Sequence, residues 1–462
     1  MRAMTYRITA FCFVVLLAAA GCSEPETTAP IDQAGSTEGS LGKPAGHFLV
    51  EYASKKQLEK AVQQVGGSLD RVFDPIGVAQ VSGINDQDAQ TLSSKPGIQH
   101  VTRDVEIQWI PSLQQMMSGS YLTATSLVPQ SNPASAAYFG LQWGMQAIMA
   151  PSAWSITQSS SDVRVGILDS GISPDHVDLA GKYDLSKSRN FSISNPGDPA
   201  DYQDRHGHGT HVSGIVSSNN VGVAGVAPNA TLVGVKVLGD QGFAPFGAVL
   251  AGIMYAADEG DCDIINLSLG GYGPRQASGR FISMVYRAMN YANSQGVLVV
   301  CAAGNDAMDM DHNKNIVVLP AEAGAGMVVS ATGPTFGQTP DGVACYTNYG
   351  TSAISVAAPG GNFDCANSSL NALGDLVLSC FSPYVANQLG HPNPTAAYYW
   401  AAGTSMAAPH VAGVAALTES AKGNSNPGYL KSRLQNTADD LGAAGADPYY
   451  GKGRVNAYNA VQ

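Results

Sequence analysis

Hydrophobic and polar positions follow two different rhythms along the 462 residues. HFLVEYA (47–53) alternates as a half-buried strand does. QLEKAVQQVG (57–66) places Leu58, Val62 and Val65 on one side of a helix. VAQVSGI (78–84) predicts a second strand, DAQTLSSKPGI (88–98) a short helix and HVTRDVEIQWI (100–110) a third strand. These elements make a small α+β module over residues 47–110. A polar stretch rich in Ser, Gln, Asn and Pro follows, which predicts a linker over 111–138.

From residue 139 to 462 the rhythm changes. Continuous apolar runs replace alternation: VRVGILD (163–169), TLVGVKVL (231–238), IINLSLG (264–270), GVLVVCAAG (296–304), MVVSATG (327–333) and AISVAAPG (353–360). Runs of this kind are strands buried on both faces, as in parallel sheets. Helical segments between them predict βαβ units and a doubly wound, mostly parallel α/β sheet. No internal repeat is present.

The first residues have another character. Arg2 and Arg7 precede ITAFCFVVLLAAA (8–20), which is short for a bilayer span and fits the apolar core of a signal peptide over residues 1–21. It ends in AAGCS, which resembles a bacterial lipoprotein cleavage site, so Cys22 is the expected lipid attachment. Ser23 resembles the sorting residue of an outer-membrane lipoprotein. Residues 22–46 contain almost no large apolar side chains and read as a flexible tether.

Charge and cysteine usage sharpen this picture. A net charge of -12 leaves no basic face for phosphate binding, which argues against nucleic acid as a partner. The low charged content of 13% suits an exported protein. Of seven cysteines, Cys12 leaves with the signal and Cys22 is acylated on this reading. Five remain, an odd number, so at least one is free or paired with another chain. Cys365 and Cys380 bracket one loop and are the candidate disulfide; their spacing is not a zinc pattern.

Chemistry in such sheets collects at the carboxyl ends of the strands. VGILDSG ends there in Asp169, RHGHGTHVSGI starts a helix at His208, and INLSLGG leaves a strand through Ser268. VVCAAGND leaves another through Asn305, and GTSMAAPHVAG starts a helix at Ser405. Taken singly, each has a bland reading: a Ser before an apolar helix is usually a cap, and an Asp after a strand usually forms a turn. Together, D-S-G, H-G-T-H-V and G-T-S-M-A-A-P in this order resemble the subtilisin-like serine proteases over about residues 139–462. The order Asp, His, Ser differs from other serine hydrolase folds. Residues 47–110 resemble that family's inhibitory prodomain, a ferredoxin-like module.

The resemblance implies a secreted, autoprocessing serine endopeptidase. Ser405 is the expected nucleophile, His208 the general base, Asp169 its orienting partner and Asn305 the oxyanion donor. It assigns the base to His208 rather than to His206 or His211, and H-G-H-G-T-H lacks the acidic spacing of a metal motif. Substrate is expected as an added strand between Ser268, Leu269, Gly270, Gly271 and Ala302, Ala303, Gly304. The floor of its pocket lies near Val317–Leu319, with Glu322 at the margin, which predicts an apolar or broad preference. No cofactor is needed for catalysis. Calcium is a structural candidate at Asp178, although the loop 217–228 is shorter than calcium-binding versions. Residues 361–398 read as a surface insertion. The expected partners are protein substrates, the chain's own prodomain and, through the lipid, a membrane. Two alternatives remain: a non-catalytic binding protein on the same scaffold, and a protease dedicated to processing one partner.

Overall fold

The computed structural model describes residues 42–112, 122–123, 128–194, 198–334, 339–363, 365 and 373–462. The signal, Cys22, residues 23–41 of the tether and much of the linker lie outside the described residues; the last tether residues, expected to be flexible, instead begin a strand at Lys43. No helix among the described residues is long and apolar enough to cross a membrane.

The amino-terminal module has β1 (Lys43–Tyr52), a helix Lys55–Gln64, β2 (Ser68–Phe73), β3 (Val78–Ser82), a helix Asp86–Ser93 and β4 (Ile98–Gln108). Its antiparallel sheet runs β2-β3-β1-β4. Alternation along β1 divides the module's two faces. Val50 and Tyr52 pack with Leu58 and Val62 of the first helix. Leu49, on the other face, joins the core of the large domain with Val78, Val105 and Ile107. Burial of such side chains is worth about 1.5–3 kcal/mol each, so this shared core holds the two parts together. Two polar anchors add direction. Glu51 accepts from Arg287 at 2.5 Å, and the buried Asp104 accepts from Gly247 N at 3.3 Å. Gly247 lies in the first turn of the Phe246–Asp258 helix, where a carboxylate meets unpaired N–H groups.

After the short β5 (Leu122–Thr123), the large domain is built on a seven-stranded sheet. Its members are β6 (Arg164–Asp169), β7 (Arg189–Asn190), β8 (Thr231–Lys236), β10 (Ile264–Leu267), β12 (Leu298–Ala302), β14 (Met327–Thr332) and β15 (Val356–Pro359). They run in the order β15-β14-β12-β10-β6-β8-β7 with parallel pairing. All six apolar runs became sheet strands. Val165 and Ile167 face one core layer and Leu168 the other; Val300 and Val299 divide in the same way. The helices His208–Val216 and Thr404–Lys422 cover one face, and Phe246–Asp258 and Gly279–Ser294 the other.

Short strands outside this sheet matter for the site. β9 (Phe243–Pro245) pairs with β4 and extends the module's sheet into the large domain. β11 (Gly271–Pro274) pairs antiparallel with β13 (Ile316–Leu319). β16 (Val377–Cys380) and β17 (Ala397–Ala401) form a hairpin whose edge takes β5.

Two expectations are corrected here. The disulfide joins Cys345 to Cys365, not Cys365 to Cys380. Cys380 is a free, buried thiol on β16, facing the core rather than the loop. Within the described part of 361–398, the strand segments belong to the core rather than to the surface, while residues 387–390 stay exposed. Every residue of β16 and β17 is buried, and Ser379 Oγ donates to His211 O at 2.7 Å, on the helix that His208 begins.

Candidate active site

At the carboxyl edge of the large sheet Asp169 pairs with His208, and Asn305 bonds Thr404 next to Ser405. Asp169 is the last residue of β6, and Asn305 lies three residues beyond β12. His208 opens the His208–Val216 helix and Ser405 is the second residue of the Thr404–Lys422 helix. Asp169 Oδ1 lies 2.8 Å from His208 Nδ1 and also accepts from Ser170 N at 2.7 Å. The aspartate is fully buried and the histidine is 2% exposed, so water does not compete for this bond. Asp169 Oδ2 is buried with no hydrogen-bond partner among the described residues.

The loop before His208 is held by a residue the sequence reading passed over. Asp204, fully buried, accepts from His206 N, Gly207 N and Thr210 N, and from the hydroxyls of Thr210 and Ser170. Burial pushes its pKa up, but the Thr210 hydroxyl, Gly207 N–H and nearby Lys236 outweigh that and hold it below the usual range. Gly207 turns the chain into the helix at φ +98, where a Cβ would stand 2.8 Å from the Phe381 ring. The signal was one of three closely spaced acids, Asp198, Asp201 and Asp204, in a polar stretch before His208 that suggested nothing more than a loop.

The other two histidines of H-G-H-G-T-H have separate roles. His211 is buried and its Nε2 lies 3.1 Å from Tyr399 O; burial and nearby His208 push its pKa down to about 3. His206 Nε2 lies 3.0 Å from Pro111 O.

On the opposite side, Ser405 Oγ donates to Ser268 O at 3.1 Å, and Ser268 Oγ donates to Ser405 O at 2.7 Å. No hydrogen bond joins Ser405 to His208 in this arrangement, among the described residues. Asn305 is oriented by the residue next to Ser405. Its Oδ1 accepts from Thr404 N and from Thr404 Oγ1, both at 2.9 Å, which leaves Nδ2 as the free donor. Thr404 Oγ1 in turn accepts from Gly304 N at 3.0 Å. The N–H of Ser405 belongs to the first helical turn, where no intrahelical acceptor exists.

A chain segment already lies in the cleft. β4 pairs with β9, Trp109 N donates to Gly242 O at 3.0 Å, and Gly270 N donates to Trp109 O at 2.9 Å. The Trp109 ring packs near Phe246, and its Nε1 donates to Ala244 O at 3.1 Å. The carbonyl of Pro111 then reaches His206, two residues from His208.

Over residues 160–453 the chain matches the Subtilase family. It is 37% identical over 324 residues to thermitase of Thermoactinomyces vulgaris, covering 70% of this chain and 96% of that protein. The chain is a subtilase. A thermophilic serine proteinase of Bacillus sp. (strain AK1) is 29% identical and aligns over 90% of this chain and 87% of its own length. In fold, the subtilase is similar to the epidermin leader peptide processing serine protease of Staphylococcus aureus. That crystal structure gives a TM-score of 0.73 at 23% identity and covers 90% of this chain and 97% of its own. The subtilase is thus a serine endopeptidase, and subtilases need no cofactor for catalysis.

Three expected details of the subtilase's cleft differ in the structure. Ala302, Ala303 and Gly304 are not a free edge: Ala302 pairs with Val329 in the central sheet, Ala303 N donates to Val329 O, and Gly304 N to Thr404. The edge facing Gly270 is 242–245. Glu322 is not free at the pocket margin, because it accepts from Arg275 and, at 2.7 Å, from Val318 N. Asp178 is saturated. Its carboxylate accepts from Val221 N, Gly222 N, Val223 N, Ser218 Oγ and Tyr398 Oη at 2.6–3.2 Å. The shortened loop brings its own N–H groups to the carboxylate, so these residues do not fit a calcium ion. His176 and Cys380 bring ligand atoms near Asp178, but Asp178 N donates to His176 Nδ1, and Nε2 pairs with Ala397 O.

Proposed function

We propose that this subtilase cleaves proteins through an Asp169–His208–Ser405 triad with Asn305 as oxyanion donor. The observation that carries this reading is the buried 2.8 Å Asp169–His208 pair beside a serine at a helix N-terminus. In the reaction the Ser405 hydroxyl exchanges Ser268 O for His208 Nε2, gives up its proton there and attacks the peptide carbonyl. Asp169 keeps the imidazole in the tautomer with Nδ1–H and stabilises the imidazolium. Asn305 Nδ2 and the Ser405 N–H receive the developing oxyanion. His208 then returns the proton to the leaving amine, and water hydrolyses the acyl-enzyme by the same route. The test is fluorophosphonate labelling with peptide mapping. Label on Ser405, absent in Ser405→Ala, supports the triad; label elsewhere refutes it.

The enzyme is further proposed to be made as an exported zymogen. Residues 47–110 act as an inhibitor, lipid on Cys22 anchors the precursor, and Ser405 cuts the 111–138 linker. Support comes from the strand-like hold on Trp109 and the approach of Pro111 to His206. N-terminal sequencing of the mature enzyme tests it. A start within 111–138 supports self-processing, and a start before β4 contradicts it.

A further inference from the structure

Tyr272 bridges from β11, beside the strand in the cleft, to the loop that carries Asn305. It follows Gly271 directly, so its backbone continues the segment that pairs with the occupying strand. In the β11–β13 ladder it faces Val318, in the middle of the segment expected as the pocket floor. Its side chain packs with Ala303, Met310 and Val318. Its hydroxyl ends against the opposite wall, where Oη accepts from Asn305 N at 3.1 Å. Approach to that wall is close enough that a methyl on Gly304 would stand 2.3 Å from Oη. One residue therefore links the strand that holds substrate, the floor beneath it and the loop that carries Asn305. A slot spanned by a phenol ring has little depth left for a large side chain. Of the carboxylates near it among the described residues, Glu322 is committed to Arg275 and Val318 N and Asp306 to the Tyr272 hydroxyl, so neither is set out for a basic side chain.

We propose that Tyr272 sets substrate choice by plugging this pocket, so that the enzyme cuts after small uncharged residues such as Ala, Gly or Ser. The inference rests on the catalytic reading above. A packed cleft discriminates about 10–200-fold per added methylene, so exclusion of Phe or Leu is expected to exceed about 100-fold in kcat/KM.

The experiment compares full-length wild type, Tyr272→Ala and Tyr272→Phe, each matured and titrated with fluorophosphonate, on peptides differing only in the residue before the cut. Wild type is expected to favour Ala over Phe or Leu by at least about 100-fold. Tyr272→Ala is expected to raise kcat/KM for Phe or Leu at least about 10-fold relative to Ala. Tyr272→Phe, which keeps the ring and loses the bond to Asn305 N, is expected to keep the small-residue preference. If Tyr272→Ala labels with the probe and its Phe-to-Ala ratio equals that of wild type, the proposal is overturned. Should Tyr272→Ala fail to fold, the wild-type profile decides: a preference for Phe, Leu, Lys or Arg overturns it. A wild type that neither labels nor cleaves overturns the catalytic reading as well; one that labels and cleaves after bulky residues overturns this inference alone.

Discussion

Thr404→Val isolates the orientation of Asn305 from Ser405, the proposed nucleophile beside it. The side chain keeps its volume and loses a hydroxyl with two partners, Asn305 Oδ1 at 2.9 Å and Gly304 N at 3.0 Å. Asn305 retains the bond from Thr404 N, so its amide is held half as well rather than released. A neutral hydrogen bond is worth about 0.5–1.5 kcal/mol net, which sets a loss of about 2–13-fold in kcat with KM little changed. Removal of the whole donor in Asn305→Ala is expected to cost about 2.7–4 kcal/mol, the value known for an oxyanion-hole asparagine in subtilisin itself. Stability responds separately, because Gly304 N–H is left buried without an acceptor, at about 1–3 kcal/mol. The assay is kcat per titrated active site on a peptide amide, in a double-mutant cycle with Asn305→Ala. If Thr404 acts through Asn305, Thr404→Val costs nothing further in kcat once Asn305 is gone. Equal losses in both backgrounds, or a single mutant with wild-type kcat and a lowered Tm, would refute the reasoning.

The remaining predictions concern the scaffold and its pH response. A non-reducing peptide map is expected to recover Cys345 joined to Cys365, and Cys345→Ser with Cys365→Ser to cost about 3 kcal/mol by loop entropy; a map joining Cys365 to Cys380 contradicts the structure. Asp178→Ala is expected to lower stability by at least about 3 kcal/mol, equally in calcium and in chelator, because it strands buried N–H donors; a loss seen in calcium alone would mean an ion binds there. Asp104 is pushed up to about 7, mainly by burial and against the N–H bonds of Gly247 and Val105, with Gln80 and Arg71 alongside. Released into water it titrates near about 3.9, so the bound state holds the extra proton between these values. Affinity of the amino-terminal segment for the mature enzyme is thus full below about pH 4 and falls as pH rises towards 7. Inhibition constants at pH 5 and pH 8 test this, and Asp104→Asn is expected to flatten the difference.

Much of the large domain was legible because a strand buried on both faces has to be apolar throughout. Six such runs located six strands of the sheet, and strand ends supplied the candidate catalytic residues. What escaped has physical reasons. SLDRVF (68–73) forms β2 although Asp70 and Arg71 interrupt its apolar pattern. β9, β11 and β13 are three or four residues long, too short for periodicity, yet they frame the cleft. The hairpin of β16 and β17 was hidden by the surrounding Asn, Pro and Ser, and with it went the placement of Cys380 in the core. Motif order nominated Asp169, His208, Asn305 and Ser405 as candidates, but could not show that Asp204 holds the loop before His208 or that Tyr272 reaches Asn305. The Tyr272 bond joins residues far apart in sequence, and the Asp204 turn is fixed by burial and by Ser170, so both exist only once the sheet edge is assembled.

The most direct test of the central claim is the intact mass of the exported chain, wild type beside Ser405→Ala, purified under identical conditions. The account predicts that wild type loses its amino-terminal segment at a bond within residues 111–138, while Ser405→Ala keeps it. If both are cut alike, or if neither is cut, self-processing by Ser405 is contradicted.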